Sequence, residues 1–306
     1  MLIKDIVKEF QFELQIKNYS IRTRKGYKNN INRFFRFIEK EYNIVELGEV
    51  NKLHVKQYIN YLQKQSLSTV YINTILKNLR SFYKYCAGEN YCNNIVKDIQ
   101  MLKEKKVIIN TFTDVEVKKM LDVFSYKTYI EARNKAMIAI LIDTGIRNLE
   151  LCSLTLLDVK ETVININCGK GNKERVVPIS PYLKKILIRY ERIRAEYTKN
   201  SIECYSNYFL SYRHKPLTVE AVERVVKLCG KEANVRKEIR CSPHTFRHYF
   251  AQKQLQNGLD VYSLSRLLGH ENIQITKRYL QSIQDKEILS ISIKTSPLMS
   301  LRGGRK

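Results

Sequence analysis

The sequence is poor in the features of disulfide-bonded, zinc-binding and membrane-spanning proteins. Its seven cysteines are odd in number and scattered, and no CxxC pair occurs, so we expect buried free thiols in a reducing compartment. The longest uninterrupted aliphatic stretch, residues 136–142, is far too short to span a bilayer. The N-terminal stretch mixes acids with apolar side chains and has no small-residue cleavage site, which argues against a secretory signal and favours a cytoplasmic protein.

Basic residues far outnumber acidic ones. The chain has 30 Asp and Glu against 54 Lys and Arg, a formal net charge of +24. Both parts of the chain share the excess, because residues 1–106 carry a net charge of +10 and the remainder +14. Such an imbalance is self-repulsive unless a polyanion is bound, so nucleic acid is the leading partner, an anionic membrane surface the second, and a generally basic protein without such a ligand the remaining interpretation.

Motifs for metal-dependent and nucleotide-dependent chemistry are missing. The second half contains no cluster of Asp and Glu at metal-ligand spacing. HTFRH, residues 244–248, has two histidines at i and i+4 but lacks the glutamate of HExxH and a third ligand. GKGNKER, residues 169–175, is not a P-loop because GxxxxGK[ST] is absent. We therefore expect no metal and no nucleotide cofactor.

The first hundred residues predict a bundle of four short helices. Apolar residues recur at helical spacing in four stretches, and Asn51 and Ser68 are suitable N-caps for the last two. Basic residues and tyrosines alternate on the polar faces. The charged stretch that follows predicts a linker at residues 103–111, between an N-terminal domain at 1–102 and a second domain at 112–306.

The sequence of the second domain predicts a mixture of helices and strands, so the predicted fold class is mainly α with a small β-sheet. Thr113 and Glu116 form a capping-box pattern, and residues 133–143 read as a buried helix. Residues 163–168 and 175–179 read as strands joined by a turn rich in glycine and asparagine. Further helices are predicted at 147–154, 182–197 and 218–233, from Ser242 to Gly258, from Asp260 to Gly269, and at 275–280.

Basic side chains stand beside glycine breaks in this second domain. TGIRNLEL, residues 144–151, places Arg147 just after a glycine, and Glu150 lies three residues on, where a helix start would bring the two side chains to one face. Cleaving a phosphodiester without a metal requires cations to stabilise the developing charge and a side chain as nucleophile. Arginine suits the first task because its guanidinium matches phosphate geometry.

Histidines and a tyrosine complete the pattern. HTFRH places His244 and Arg247 one turn apart on a helix face, and LGH exposes His270 just beyond a helix end. Tyr279 follows nine residues later. Each motif alone is weak evidence, because an isolated histidine or tyrosine is more often a packing residue.

The order TGIRNLEL, GKGNKER, HTFRH, LGH and a following tyrosine resembles the tyrosine recombinase/integrase family, and in size its Xer-type branch. The resemblance covers essentially the whole chain. It implies an N-terminal SAM-like core-binding domain and a mixed α+β catalytic domain. One position departs from the usual pattern, since Ile146 stands where leucine is common, which is a like-sized exchange.

The resemblance also implies residue roles. Arg147 and Arg247 would hold the scissile phosphate, with Glu150 supporting Arg147. His244 and His270 would stabilise the phosphate and assist proton transfer. The implied general acid is Lys170, although hairpin geometry alone would also allow Lys173. Tyr279 would be the nucleophile that forms a 3′-phosphotyrosine, and only its position after LGH selects it over Tyr249 and Tyr262.

The implied partners are a double-stranded recombination site and a homo-tetramer on paired sites, with or without a paralogous recombinase, and no membrane. The sequence does not distinguish between integration, excision, cointegrate resolution on a mobile element and chromosome dimer resolution. Two alternatives are a type IB topoisomerase and a DNA-binding regulator without catalysis. The alternating segment at residues 289–293 predicts a strand, although residues 285–289 could instead extend a helix. We hypothesise that this segment packs against a neighbouring protomer.

Overall fold

The computed structural model describes residues 2–104, 109–167, 174–199 and 205–280. The chain divides into two compact units, Met1–Val107 and Ile108–Lys306. Across the described ranges the structure is mainly helical with one two-stranded sheet, which confirms the predicted fold class. The predicted tail strand at 289–293 lies outside these ranges, and no described helix is both long and apolar enough to cross a membrane.

Four α-helices form the first unit. They are α1, Ile3–Ile16; α2, Ile21–Tyr42; α3, Lys52–Lys64; and α4, Thr69–Gly88. The side chains of Asn51 and Ser68 accept backbone hydrogen bonds at the starts of α3 and α4, as the sequence predicts. Helix α2, at 22 residues, is longer than the short helix that its apolar stripe suggested.

An aromatic core holds this unit together. Phe10 and Phe35 each meet Phe82 edge to face, with ring centroids 5.4 and 5.5 Å apart. The segment after α4 is fixed by Asn73, whose side chain donates to Leu102 O and accepts from Leu102 N–H, both at 2.9 Å. The chain is therefore anchored to α4 as far as residue 102.

The second unit contains eight helices and the sheet within its described residues. The elements are α5, Asp114–Asp122; α6, Tyr129–Thr144; α7, Asn148–Ser153; β1, Val163–Ile166; β2, Arg175–Pro178; α8, Pro181–Thr198; α9, Val219–Glu232; α10, Pro243–Gln256; α11, Val261–Leu268; and α12, Ile273–Leu280. Helix α6 begins four residues before its predicted start because the Thr128 hydroxyl caps it by accepting from Glu131 N–H.

Helix α6 forms the centre of this unit. It is apolar on nearly all sides and packs against α5, α8 and α10. The helix ends where Gly145 adopts a left-handed conformation with φ +58°. A Cβ at this position would lie 2.5 Å from Cδ1 of Phe250, so glycine allows both the turn and the close approach of α10. The loop that carries Arg147 is thereby held against α10.

The sheet is an antiparallel pair. Ile166 pairs with Arg175 at the hairpin end and Val163 with Pro178 at the other, so both strands are shorter than predicted. Ile164, Ile166 and Val177 face the core. Residues 168–173, which include Lys170 and Lys173, lie outside the described residues.

Candidate active site

Glu150 is a buried carboxylate that receives hydrogen bonds from two arginines. It stands in the first turn of α7, and Arg147 is the N-cap of that helix. The Arg147 backbone N–H donates to Oε2 at 2.7 Å, and Arg147 Nη1 donates to Oε1 at 2.8 Å. The predicted pairing of Arg147 with Glu150 is thus present in the structure.

The second arginine on Glu150 is Arg175, at the start of β2. Its Nη1 and Nη2 donate to the two carboxylate oxygens at 2.8 and 2.6 Å, the paired geometry that makes arginine–carboxylate contacts strong. Burial alone would raise the pKa of Glu150, but the hydrogen bonds and charge of Arg175, helped by Arg147, hold it at about 2. Glu150 is therefore ionised throughout the physiological range.

Three arginines converge on the C-terminal turn of α11. Three consecutive carbonyls there accept from three different guanidinium groups: Arg175 Nε donates to Leu267 O at 2.8 Å, Arg247 Nη2 to Leu268 O at 2.7 Å, and Arg147 Nη2 to Gly269 O at 2.8 Å. The last carbonyls of a helix have no partners within the helix and carry its negative dipole end. This turn therefore holds guanidiniums from β2, α10 and the start of α7 side by side.

Gly269 gives this turn its shape. The residue is left-handed with φ +64°, and a Cβ there would lie 3.0 Å from Cδ of Arg175. Glycine thus ends α11 and leaves room for the arginine beside it. His270 follows directly, and its N–H donates to Ser265 O at 3.0 Å.

Arg247 is almost completely buried, with 3% of its surface exposed. Besides Leu268 O, it donates from Nη1 to Gly145 O at 2.8 Å. Burial and then the nearby Arg147 lower its pKa to about 10, so the group stays charged at neutral pH. The three guanidiniums face a single carboxylate, Glu150, which leaves an excess of positive charge that suits a phosphate.

The two predicted histidines occupy different environments. His244 is exposed in the first turn of α10, and desolvation together with Arg247 and Arg147 lowers its pKa. His270 is half-buried, with Nδ1 2.8 Å from Oγ1 of Thr276, and burial followed by the same two arginines lowers its pKa to about 4. His270 is thus more enclosed than the exposed position that the sequence predicted.

Tyr279 lies buried on α12, against apolar side chains of α10 and α11. Its Oη is 2.9 Å from Nδ1 of His248, a hydrogen-bonding distance between groups 31 residues apart. Burial raises the pKa of the phenol, an effect that Arg247 partly offsets. The hydroxyl is therefore protonated at neutral pH.

The rival tyrosines are placed differently. The Tyr249 hydroxyl donates to Asp114 Oδ1 at 2.9 Å, and 64% of Tyr262 is exposed. The structure brings Arg147, Arg247 and His270 to the α11 turn and pairs Glu150 with Arg147. His244 lies on α10 and Tyr279 on α12, which packs against α10 and α11. Lys170 lies outside the described residues.

Sequence reasoning missed two residues of this cluster, Arg175 and His248. Arg175 entered only as the last residue of GKGNKER and the first of a strand, and His248 was weighed only as a zinc ligand. One signal in the sequence was the i, i+4 spacing that puts His248 on the same helical face as His244. In the structure the two ring centroids are 4.2 Å apart. Within the described ranges, no group of three His, Cys, Asp or Glu side chains could hold a metal ion.

Comparison with solved structures identifies the fold. The chain is similar to the XerH site-specific recombinase bound to palindromic difH substrate, with a TM-score of 0.74 and 19% identity over 90% of this chain and 81% of that one. It is also similar to a lambda integrase dimer bound to a COC′ core site, with a TM-score of 0.72 and 15% identity over 93% and 97% of the two chains.

Sequence comparison gives closer relatives. The tyrosine recombinase XerC of Anoxybacillus flavithermus is 34% identical over 89% of this chain and 91% of its own length. The tyrosine recombinase XerD of Staphylococcus saprophyticus is 29% identical over 91% and 92% of the two chains. The models of the phage integrase family and of the phage integrase N-terminal SAM-like domain match residues 110–286 and 6–93. The chain therefore belongs to the phage integrase family, with Xer tyrosine recombinases among its relatives.

Proposed function

We propose that this protein is a site-specific recombinase that cleaves and rejoins DNA through a covalent bond to Tyr279. The observation that carries the proposal is the turn at the end of α11, where Arg147 and Arg247 bind adjacent carbonyls. Both guanidiniums are held in a cluster with excess positive charge, and a buried tyrosine stands on the neighbouring helix α12. The recombinase names of the sequence relatives support the same function.

The arginines would act on the scissile phosphate. Negative charge builds on the non-bridging oxygens as the phosphorus becomes pentacoordinate, and preorganised cations stabilise that charge without reorganising during the reaction. Arg147 and Arg247 are preorganised by their carbonyl and carboxylate contacts. His244 and His270 would donate further hydrogen bonds to the same phosphate.

The chemistry is a reversible transesterification. Tyr279 Oη attacks the phosphorus, the bond from phosphorus to the 5′ oxygen breaks, and the DNA 3′ end remains attached as a phosphotyrosine. The leaving 5′ oxygen takes a proton from Lys170, the proposed general acid. The phosphotyrosine retains the bond energy, so a 5′-hydroxyl from the same or another strand can reverse the step without ATP or a metal.

Strand exchange requires more than one active site. We expect four copies of the chain on two paired duplex sites, with or without a paralogous recombinase, and exchange through a Holliday junction in the cytoplasm. The net charge of +24, shared by both units, fits a protein whose two units both contact DNA. Integration or excision of a mobile element and resolution of joined replicons would use this same reaction.

Glu150 would act by fixing the arginines. Its two oxygens bind Arg147 and Arg175, and both guanidiniums also bind the α11 turn. A buried carboxylate with these partners cannot be removed without leaving a buried charge uncompensated. Glu150 and Arg175 are therefore positioning residues for the phosphate site.

Tyr279→Phe is expected to abolish the covalent adduct while leaving DNA binding intact, because only the nucleophilic oxygen is lost. Wild-type protein is first incubated with a pool of nicked duplexes of random sequence, in EDTA and without ATP, and a duplex that becomes covalently attached is recovered. The variants are then assayed on that duplex under the same conditions. Adducts are resolved by denaturing electrophoresis and binding by mobility shift.

The matched control is Tyr262→Phe, which alters a largely exposed tyrosine and should keep the adduct. An adduct that survives in Tyr279→Phe, or disappears in Tyr262→Phe, would contradict the assignment of the nucleophile.

Lys170→Ala is expected to slow cleavage by about 100-fold or more, the usual contribution of a general acid, while Lys173→Ala changes it far less. A substrate with sulfur in place of the 5′ bridging oxygen has a leaving group that needs no proton. It should restore Lys170→Ala to nearly the wild-type rate. Loss of cleavage in Lys173→Ala that sulfur rescues would instead assign the acid to Lys173.

Glu150→Gln is expected to lower the free energy of unfolding by about 3 kcal/mol at pH 7 and to reduce cleavage, because Arg175 loses its buried counter-charge. The folded pKa of about 2 lies below the ordinary 4.5, so the stabilisation is complete above about pH 5.5 and declines as the pH falls toward 2. Denaturant unfolding at several pH values measures both effects.

Glu161→Gln is the control, since Glu161 is highly exposed beside Lys184 and such pairs contribute at most about 1 kcal/mol. Equal destabilisation by the two substitutions, or a Glu150→Gln effect that stays constant from pH 7 to 3, would contradict the role given to this carboxylate.

A further inference from the structure

His248 touches the reacting atom of the proposed nucleophile. Its Nδ1 lies 2.9 Å from Tyr279 Oη, and the two rings are tilted by 59° with centroids 5.5 Å apart. The contact joins α10, which also carries His244 and Arg247, to α12. None of the roles proposed above uses His248.

We infer that His248 is the general base that accepts the proton of Tyr279 during cleavage. The inference rests on the proposed role of Tyr279 as nucleophile. A general base must lie within about 2.6–3.2 Å of the atom whose proton it takes, and His248 meets this condition.

The proton inventory of the step balances. As Oη forms its bond to phosphorus, the phenol proton passes to Nδ1 of His248 and the bond to the 5′ oxygen breaks. The general acid, which is a different group from His248, protonates the departing 5′ oxygen. In the rejoining step, protonated His248 returns its proton to the phenolate that leaves phosphorus, so one imidazole serves both directions.

Burial and the charges around His248 keep its imidazole unprotonated, so that it can accept a proton. His244 and Arg247 lie on the same helix as His248, with the His244 ring in contact with it, and Arg278 and Tyr279 lie on α12. Burial, followed by His244 and the two arginines, lowers the pKa of His248 to about 4, so the imidazole is unprotonated at neutral pH. A DNA phosphate at Arg247 would offset part of the positive charge and raise the pKa of His248, which strengthens it as a base once substrate is bound.

The tyrosine needs such a partner. Burial raises the pKa of its phenol above the ordinary value of 10, so the phenolate fraction at neutral pH is small. Attack without a base would have to draw on that fraction. An imidazole in contact removes the proton as the bond to phosphorus forms.

His248→Asn and His248→Ala separate a base from a residue that only positions the phenol. The asparagine Oδ1 can take the place of Nδ1 and accept the same hydrogen bond, but it cannot take the proton. Single-turnover cleavage of the captured duplex is measured from pH 5.5 to 9.5, with a sulfur leaving group so that the general acid does not contribute. Mobility shift measures binding and thermal melting measures folding.

We expect both variants to bind DNA and to cleave about 100-fold more slowly at pH 7. Their rates should rise about tenfold per pH unit as the phenolate fraction grows, whereas the wild-type rate changes little between pH 7 and 9. His214→Asn is the matched control, because His214 has φ +58°, which asparagine tolerates, and its ring stacks on Tyr197 of α8. Near-wild-type rates with a flat profile in His248→Asn would overturn the inference.

A second measurement keeps His248 in place and changes only the acidity of the phenol. The protein is prepared with difluorotyrosine at position 279, whose phenol is more acidic than that of tyrosine. If His248 is the base, the pH at which cleavage falls in acid stays unchanged, because it reports the imidazole. If the pH at which cleavage falls in acid instead shifts with the pKa of the phenol, His248 is not the base.

The two proposals fail in different ways. An adduct in Tyr279→Phe would overturn the proposed nucleophile. Unchanged cleavage in His248→Asn, with no adduct in Tyr279→Phe, would overturn only the role of His248.

Discussion

The C-terminal turn of α11 is the contact on which the proposed active site depends. The carbonyls of residues 267–269 accept hydrogen bonds from guanidiniums that originate in three other segments of the chain. A helix terminus needs such partners, and arginine supplies them together with a charge that matches the helix dipole. The same turn presents His270, and its left-handed residue is Gly269, so the end of α11 and the proposed phosphate site are built from the same residues.

Glu150 makes this concentration of positive charge tolerable. Three arginines, two of them almost entirely buried, would repel each other without a counter-ion, and one carboxylate with a pKa of about 2 compensates part of their charge. The remaining positive charge is available to a phosphate. Burial lowers the pKa of His244, His248 and His270, and the positive charge of the nearby arginines lowers it further. A bound phosphate would weaken the field of these arginines, which couples substrate binding to the proton affinity of the imidazoles.

The sequence predicts the parts of the site that depend on local spacing. The pairing of Arg147 with Glu150 follows from their positions at a helix start, and the shared face of His244 and Arg247 follows from helical periodicity. The partners of Arg175 depend on how β2 packs against segments 25 and 92 residues away, which periodicity does not encode. The contact between His248 and Tyr279 and the burial of Tyr279 likewise arise from tertiary packing of α10 against α12.

The central claim is that DNA becomes bonded to Tyr279, and peptide mapping of the covalent adduct tests it most directly. Trypsin cleaves after Arg278, so the nucleophile would begin the peptide of residues 279–286, whereas Tyr249 and Tyr262 fall in other peptides. After nuclease digestion of an adduct formed in EDTA, mass spectrometry should find a 3′-phosphonucleotide on Tyr279. A nucleotide on any other residue, or no adduct without a metal, would contradict the account.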